Sequence, residues 1–277
     1  MKNLFYLLVL CFSVILNAQK HSIMTYNIKL DYPKEGENSW KKRKPFMIGQ
    51  IQFYEPGIFG VQEALPNQMK DIDSILVDYN FVGAGRDDGK NNGEYSAIFY
   101  NKKNYRVLKS STFWLSETPD KVSIGWDAVC NRVCTYALFQ NSKTKDFFWV
   151  FNTHFDHIGK VARTKSSELI INKIEELNSK KYPVILMGDF NLEPENKNIK
   201  YIKQYLRDSK EVSLSQPFGP SGTFNGFRFN KPVTRRIDYI FVSSEISVKK
   251  YAILSDSKDC KYPSDHLPVY LELDMRL

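Results

Sequence analysis

The segment Pro183-Val184-Ile185-Leu186-Met187-Gly188-Asp189-Phe190-Asn191 decides how the rest of the chain is read. An apolar run of this length between Pro and Gly reads as a buried strand. The residues directly after such a strand sit at its carboxyl end, where open sheets place their chemistry. Asp189 and Asn191 are two residues apart, so an extended chain puts their side chains on one side and turns Phe190 inward. A carboxylate and an amide facing one space can orient a water and bind a phosphoryl oxygen. The competing reading is an Asx turn that merely ends the strand.

Working outward, the 277 residues are 42% hydrophobic and 25% charged, ordinary values for a globular chain of one large or two small domains. Lys2, the apolar run 4–16 and Asn17-Ala18-Gln19 read as a secretory leader over 1–18, too short to span a bilayer. Residues 19–277 are then a single exported domain. The formal net charge of +8 favours phosphate-bearing or polyanionic partners without choosing among nucleic acid, anionic lipid and sugar phosphate. Cys130, Cys134 and Cys260 lie beyond the leader, so at most one disulfide forms within the mature chain. Cys134 lies in an apolar run and is expected as a buried free thiol.

Helices are expected over 40–53, 66–78, 158–177 and 198–206, the second opened by Pro66. Strands are expected over 22–28, 57–61, 81–85, 95–100, 105–114, 133–139, 147–153, 184–187, 237–242, 248–254 and 269–273. The basic run Lys41-Lys42-Arg43-Lys44 is expected as a solvated helix face. No internal repeat, linker or dinucleotide fingerprint is visible. No Gly-x-Ser-x-Gly elbow supports a serine hydrolase. A zinc site built on His154 and His157 lacks further ligands at suitable spacing.

Several strands stop or open at a residue that chemistry could use. These are Asn27, Glu63 in Gln62-Glu63, His154 in Thr153-His154-Phe155-Asp156-His157, Asp189 with Asn191, Asp238, and Asp265-His266 in Ser264-Asp265-His266-Leu267-Pro268-Val269. Any one of them would be a turn or a cap. Three of the four histidines in the chain fall within these segments, which argues for one shared site.

In these motifs and their order, the chain from about Ser22 to Leu273 resembles the endonuclease/exonuclease/phosphatase superfamily, the deoxyribonuclease I-like group. The resemblance implies an α/β fold, a four-layered α/β/β/α sandwich with its site at one edge of the two sheets. It implies hydrolysis of phosphate esters with Mg²⁺, for which Mn²⁺ could substitute. Glu63 would be the main metal ligand, with Asn27 and Asp265 assisting. Asp189 would activate the attacking water and Asn191 would hold that water or a phosphoryl oxygen. His266, kept cationic by Asp238, would stabilise the transition state, although the base could instead be His266. His154 would contact the scissile phosphate or the leaving group, while Asp156 and His157 would brace a loop. Arg132 and Arg236 are candidate phosphate clamps, each with a plain ion pair as its alternative. A nuclease-like phosphodiesterase is the first expectation. A phospholipid, inositol-phosphate or sugar-phosphate phosphoesterase is the alternative, and a silent secreted binding module is the rival of another class. No obligate protein partner is expected, and the chain is read as a monomer.

Overall fold

The computed structural model describes residues 21–275, so the expected leader lies outside the described residues. Strands β1 (His21–Asn27), β2 (Ile58–Gln62), β3 (Tyr79–Val82), β4 (Ile98–Asn101), β11 (Ile246–Ile253) and β12 (Val269–Met275) form one sheet in the order β11-β12-β1-β2-β4-β3. Strands β5 (Tyr105–Trp114), β6 (Val133–Asn141), β7 (Phe147–His154), β8 (Val184–Asp189), β9 (Arg207–Asp208) and β10 (Asp238–Val242) form the other, in the order β5-β6-β7-β8-β10-β9. Helices α1 (Trp40–Tyr54) and α2 (Pro66–Ile75) belong to the first half, and α3 (Lys160–Leu177) and α4 (Lys197–Ile202) to the second.

Three apolar clusters stack these elements into layers. Ile23, Ile58, Ile98, Val150, Ile185, Met187, Ile240 and Leu271 fill the space between the sheets. Met24, Tyr26, Phe59 and Val61 alternate with them along the same strands and pack outward against Met47, Ile51 and Ile72 of α1 and α2. Phe151, Leu186 and Phe241 do the same against Ile170, Ile171, Ile174 and Ile199 of α3 and α4. The side-chain alternation of a strand, with both faces buried, therefore dictates an α/β/β/α sandwich. This is the architecture that the resemblance implied.

Each sheet contains one parallel pair, β1·β2 in the first and β7·β8 in the second. Both pairs end at the same edge of the sandwich, and there the antiparallel neighbours β12 and β10 begin. That edge collects strand ends from both sheets, and it carries the polar residues singled out in the sequence.

Several expectations need correction. The chain does not stay extended through Phe190. β8 ends at Asp189, Asn191 adopts a left-handed φ of 51°, and its N–H donates to Asp189 Oδ1 at 2.9 Å. The Asx turn and the functional pairing are thus the same object. The fourth helix stops at Ile202 rather than 206, and β9 comes after it. Arg43 is not part of a solvated face. It is 4% exposed and donates to the carbonyls of Ile28 (2.8 Å), Lys29 (3.0 Å) and Pro263 (2.9 Å). Helical geometry turns this member of a basic run inward, where its guanidinium joins two site loops. Cys134 is buried and free as expected, and Cys130 and Cys260 are also free.

Candidate active site

Strand register explains why the expected residues meet. In the parallel pair β7·β8, His154 lies opposite Asp189, and in the antiparallel pair β8·β10, Asp189 lies opposite Asp238. Asn27 lies opposite Gln62 across β1·β2, so Glu63 comes just beyond the strand. β12 pairs with β1 through Thr25 and Val269, which sets Asp265 and His266 beside Asn27. Asn27 joins the two sheets: its Nδ2 donates to Glu63 Oε1 at 3.1 Å and to Asp189 Oδ2 at 3.0 Å. Below it lies a buried polar seam, in which Gln62 Nε2 donates to Asn152 Oδ1 and Asn152 Nδ2 donates to the carbonyl of Ala97.

On the second-sheet side, His266 Nδ1 bonds Asp238 Oδ2 at 2.8 Å and its Nε2 faces Asp189 Oδ2 at 3.8 Å. Burial alone would drive the proton off this imidazole. The carboxylates of Asp238 and Asp189 more than offset that and raise its pKa to about 10, so the ring is cationic at neutral pH. Burial, and then the nearby charge of Asp238, raise Asp189 to about 7. A carboxylate held there is a competent base near neutrality. His154 is different: burial, then the charges of Arg132 and Arg86, hold it well below the ordinary imidazole value. It is a neutral ring whose Nε2 lies 3.1 Å from Asn191 Nδ2 and 3.4 Å from Asp189 Oδ2.

On the first-sheet side, Glu63 and Asp265 face one another across Lys29. The Lys29 ammonium lies 3.7 Å from Glu63 Oε2 and 4.0 Å from Asp265 Oδ2. Two carboxylates sharing one cation are a hard-oxygen donor set that suits a divalent ion such as Mg²⁺. Asn27 supports this set rather than extending it: its Nδ2 donates to Glu63 Oε1 at 3.1 Å and its Oδ1 accepts the Lys29 N–H at 3.0 Å. Asp189, Asp238 and His266 also bring three ligand atoms within 4.8 Å of one another. Those atoms are committed to each other: the imidazole is protonated and bonded to Asp238, an arrangement suited to moving a proton.

Of these residues Lys29, Glu63, His154, Asp189, Asp265 and His266 line a cavity of about 400 Å³, together with Arg86, Glu94, Cys130, Arg132 and His157. Arg132 Nε reaches Asp156 Oδ2 at 3.4 Å and its Nη2 reaches His157 Nδ1 at 3.1 Å, while Nη1 is buried without a partner. Arg132 lines the cavity, but its orphaned Nη1 is itself shielded, and the guanidinium as it stands holds Asp156 and His157. Asp156 braces the loops, accepting from the backbone of Val129, Ile158 and Gly159. Arg236 requires a correction. Its guanidinium grips Asp208 with two hydrogen bonds of 3.0 and 2.6 Å, lies over the Tyr239 ring, and does not line the cavity. It sits just before β10 and turns away from its expected role, a difference of register that local sequence does not carry.

Lys29, Arg86, Glu94 and Arg235 complete the cavity wall and were not anticipated. For Arg86 and Glu94 the available signal was their position in and beside Gly-rich turns between strands. They pair at 2.7 Å.

Among solved structures, the chain is similar to an endonuclease/exonuclease/phosphatase family protein from Bacteroides thetaiotaomicron: 38% identity, TM-score 0.90, 94% of this chain and 99% of that one covered. It is also similar to a mannosyl-6-phosphatase from B. thetaiotaomicron VPI-5482: 39% identity, TM-score 0.88, with 91% and 99% covered. A Schizosaccharomyces pombe protein designated a probable RNA exonuclease is 22% identical over 82% of this chain, which spans only 44% of that protein's length. The model of the Endonuclease/Exonuclease/phosphatase family matches residues 24–266, the interval that contains every residue of the cavity, and the chain therefore belongs to that family of phosphoester hydrolases.

Proposed function

We propose that the protein is a Mg²⁺-dependent phosphoester hydrolase acting on a phosphomonoester of a small hydroxylated molecule, with a sugar phosphate as the favoured substrate. The observation that carries this reading is the charged lining of the cavity. Arg86, Glu94, Arg132 and His157 line it together with the strand-end residues, around a volume of about 400 Å³, room for a phosphoryl group and a compact leaving group. The similarity to a mannosyl-6-phosphatase over nearly its whole length supports the same choice.

In this reading Glu63 and Asp265 hold the metal, and Asn27 keeps their side of the site in register with Asp189. When bound, the ion supplies Lewis-acid polarisation of the phosphoryl group and neutralises developing charge. Asp189 takes the proton of the attacking water. The His266 cation, fixed by Asp238, donates to a phosphoryl oxygen where charge grows, and Arg132, which lines the cavity, clamps a second oxygen. Asn191 and neutral His154 orient the water and the leaving oxygen. A buried cation with its own carboxylate suits charge stabilisation, and a carboxylate near 7 suits the base, so the two roles separate between His266 and Asp189.

The test is release of inorganic phosphate from mannose 6-phosphate and from a chromogenic phosphomonoester, with Mg²⁺ and with EDTA. A chromogenic phosphodiester and an RNA oligonucleotide run alongside. The expected outcome is Mg²⁺-dependent monoester cleavage, lowered by about 10³-fold or more in Asp189→Asn and Glu63→Gln without loss of fold. Wild-type rates in either variant would sink the assignment. Cleavage of the RNA alone would instead support the nuclease-like phosphodiesterase expected from the sequence. That reading draws on the net charge of +8. The proposal includes export by the leader over 1–18 as a monomer, checked by N-terminal sequencing of cell-surface or secreted material.

A further inference from the structure

Lys29 has no task in the hydrolysis derived above, yet the fold invests in its placement. It comes after β1 with a left-handed φ of 57°, which is uncommon for a residue with a side chain. Its N–H is held by Asn27 Oδ1, and its carbonyl accepts from Gln68 Nε2 at 2.9 Å and Arg43 Nη2 at 3.0 Å. Gln68 and Arg43 are both buried. Three polar side chains thus fix a strained backbone, and its effect is to turn the Lys29 side chain back over the site.

The ammonium ends 3.7 Å from Glu63 and 4.0 Å from Asp265, beyond hydrogen-bond reach of either. It lies between the carboxylates as a shared counter-ion. Glu63 Oε2 takes its hydrogen bond from the Leu30 backbone instead, at 3.1 Å. Without a cation, these two poorly solvated carboxylates would repel one another.

Resting on the metal assignment made above, we propose that Lys29 is a tethered counter-ion that stands in for the divalent cation in the metal-free protein and sets metal affinity by competition. An ion bonded to the same oxygens, at ligand distances near about 2.1 Å, would neutralise the charge the ammonium now neutralises and repel it at close range. Metal binding therefore displaces the ammonium into the cavity that Lys29 lines. The cost of that displacement lowers the affinity of the site for its ion. In return, the metal-free site keeps its carboxylates in place.

Mg²⁺ is titrated calorimetrically, without substrate, into EDTA-stripped wild type, Lys29→Met, Lys29→Arg and Glu63→Gln, and melting is recorded in EDTA and in saturating Mg²⁺. Lys29→Met is expected to bind Mg²⁺ about tenfold more tightly or better, in the ordinary range for coupled sites. Its melting temperature should fall in EDTA and recover in Mg²⁺, while Lys29→Arg tracks the wild type. Unchanged or weaker Mg²⁺ binding in Lys29→Met overturns the proposal. Should Lys29→Met not fold in EDTA, Lys29→Gln is titrated against the same criterion. Loss of binding in Glu63→Gln with no gain in Lys29→Met removes the competitor role alone. Wild-type binding in Glu63→Gln removes the metal assignment and the proposal together.

Discussion

The pairing of His266 with Asp238 makes a pH-dependent contribution to stability whose sign can be worked out. The folded-state pKa of His266 is raised from an ordinary 6.5 to about 10. Its contribution is therefore fully present below pH 6.5 and is lost as pH rises through about 10. Asp189, raised from 3.8 to about 7, acts in the same direction at lower pH, because the folded protein holds its proton longer. Below pH 6.5 the depressed His154 acts in the opposite direction, so metal-free protein is expected to lose melting temperature from about pH 6.5 up to about 10. In Asp238→Asn the alkaline half of that slope should flatten, since the imidazole loses the carboxylate bonded to it. Melting curves in EDTA across this range check it, and an unchanged slope would separate His266 from the effect.

At the level of elements, the site depends on how closely β7 and β8 approach. Gly188 has φ 145°, and a Cβ there would lie 2.0 Å from the carbonyl oxygen of Thr153, its partner in the ladder. Gly188→Ala is expected to cost about 3 kcal/mol or more, read from urea unfolding, because both the backbone conformation and the ladder must yield. Arg43 provides a second test. It leaves α1 to hold Ile28, Lys29 and Pro263 by their carbonyls, and each buried acceptor left without a donor costs about 1–3 kcal/mol. Arg43→Met should lower both stability and turnover. Arg43→Lys should recover little of either, because an ammonium lacks the planar fork that reaches several carbonyls at once.

For the whole molecule, the two sheets repeat one pairing pattern. In the orders β11-β12-β1-β2-β4-β3 and β9-β10-β8-β7-β6-β5, the neighbours are antiparallel except for the third pair, which is parallel in both. The site lies where the two parallel pairs end, and Asn27 ties them together. Stability lies elsewhere, in the apolar clusters between and outside the sheets. Chelation should accordingly abolish turnover while leaving a single cooperative melt. Saturating Mg²⁺ at about 100 times its Kd adds only about 2.7 kcal/mol, a shift of several degrees at most for a domain of this size. Unfolding in EDTA alone would contradict this division between core and site.

The strands were legible because short apolar runs bounded by turn residues show in the residue order, and the second helix because Pro66 opens it. Asn27, Glu63, Asp189, Asp238 and His266 were legible because each sits at the end or start of an apolar run, where a polar residue is conspicuous. The placement of Lys29, Arg43, Arg86 and Glu94 was not legible, since a charged side chain in a turn or a helix looks the same whether it faces water or a cavity. Arg236 and Arg132 illustrate the same limit: alike in sequence context, one is spent on Asp208 away from the cavity and the other lines it. The sequence by itself determined the order of elements and the chemistry available at the strand ends, because both are written in local pattern. The tertiary structure alone decided which charges meet, because register and sheet packing join residues far apart in the chain, and burial then sets which of them hold a proton.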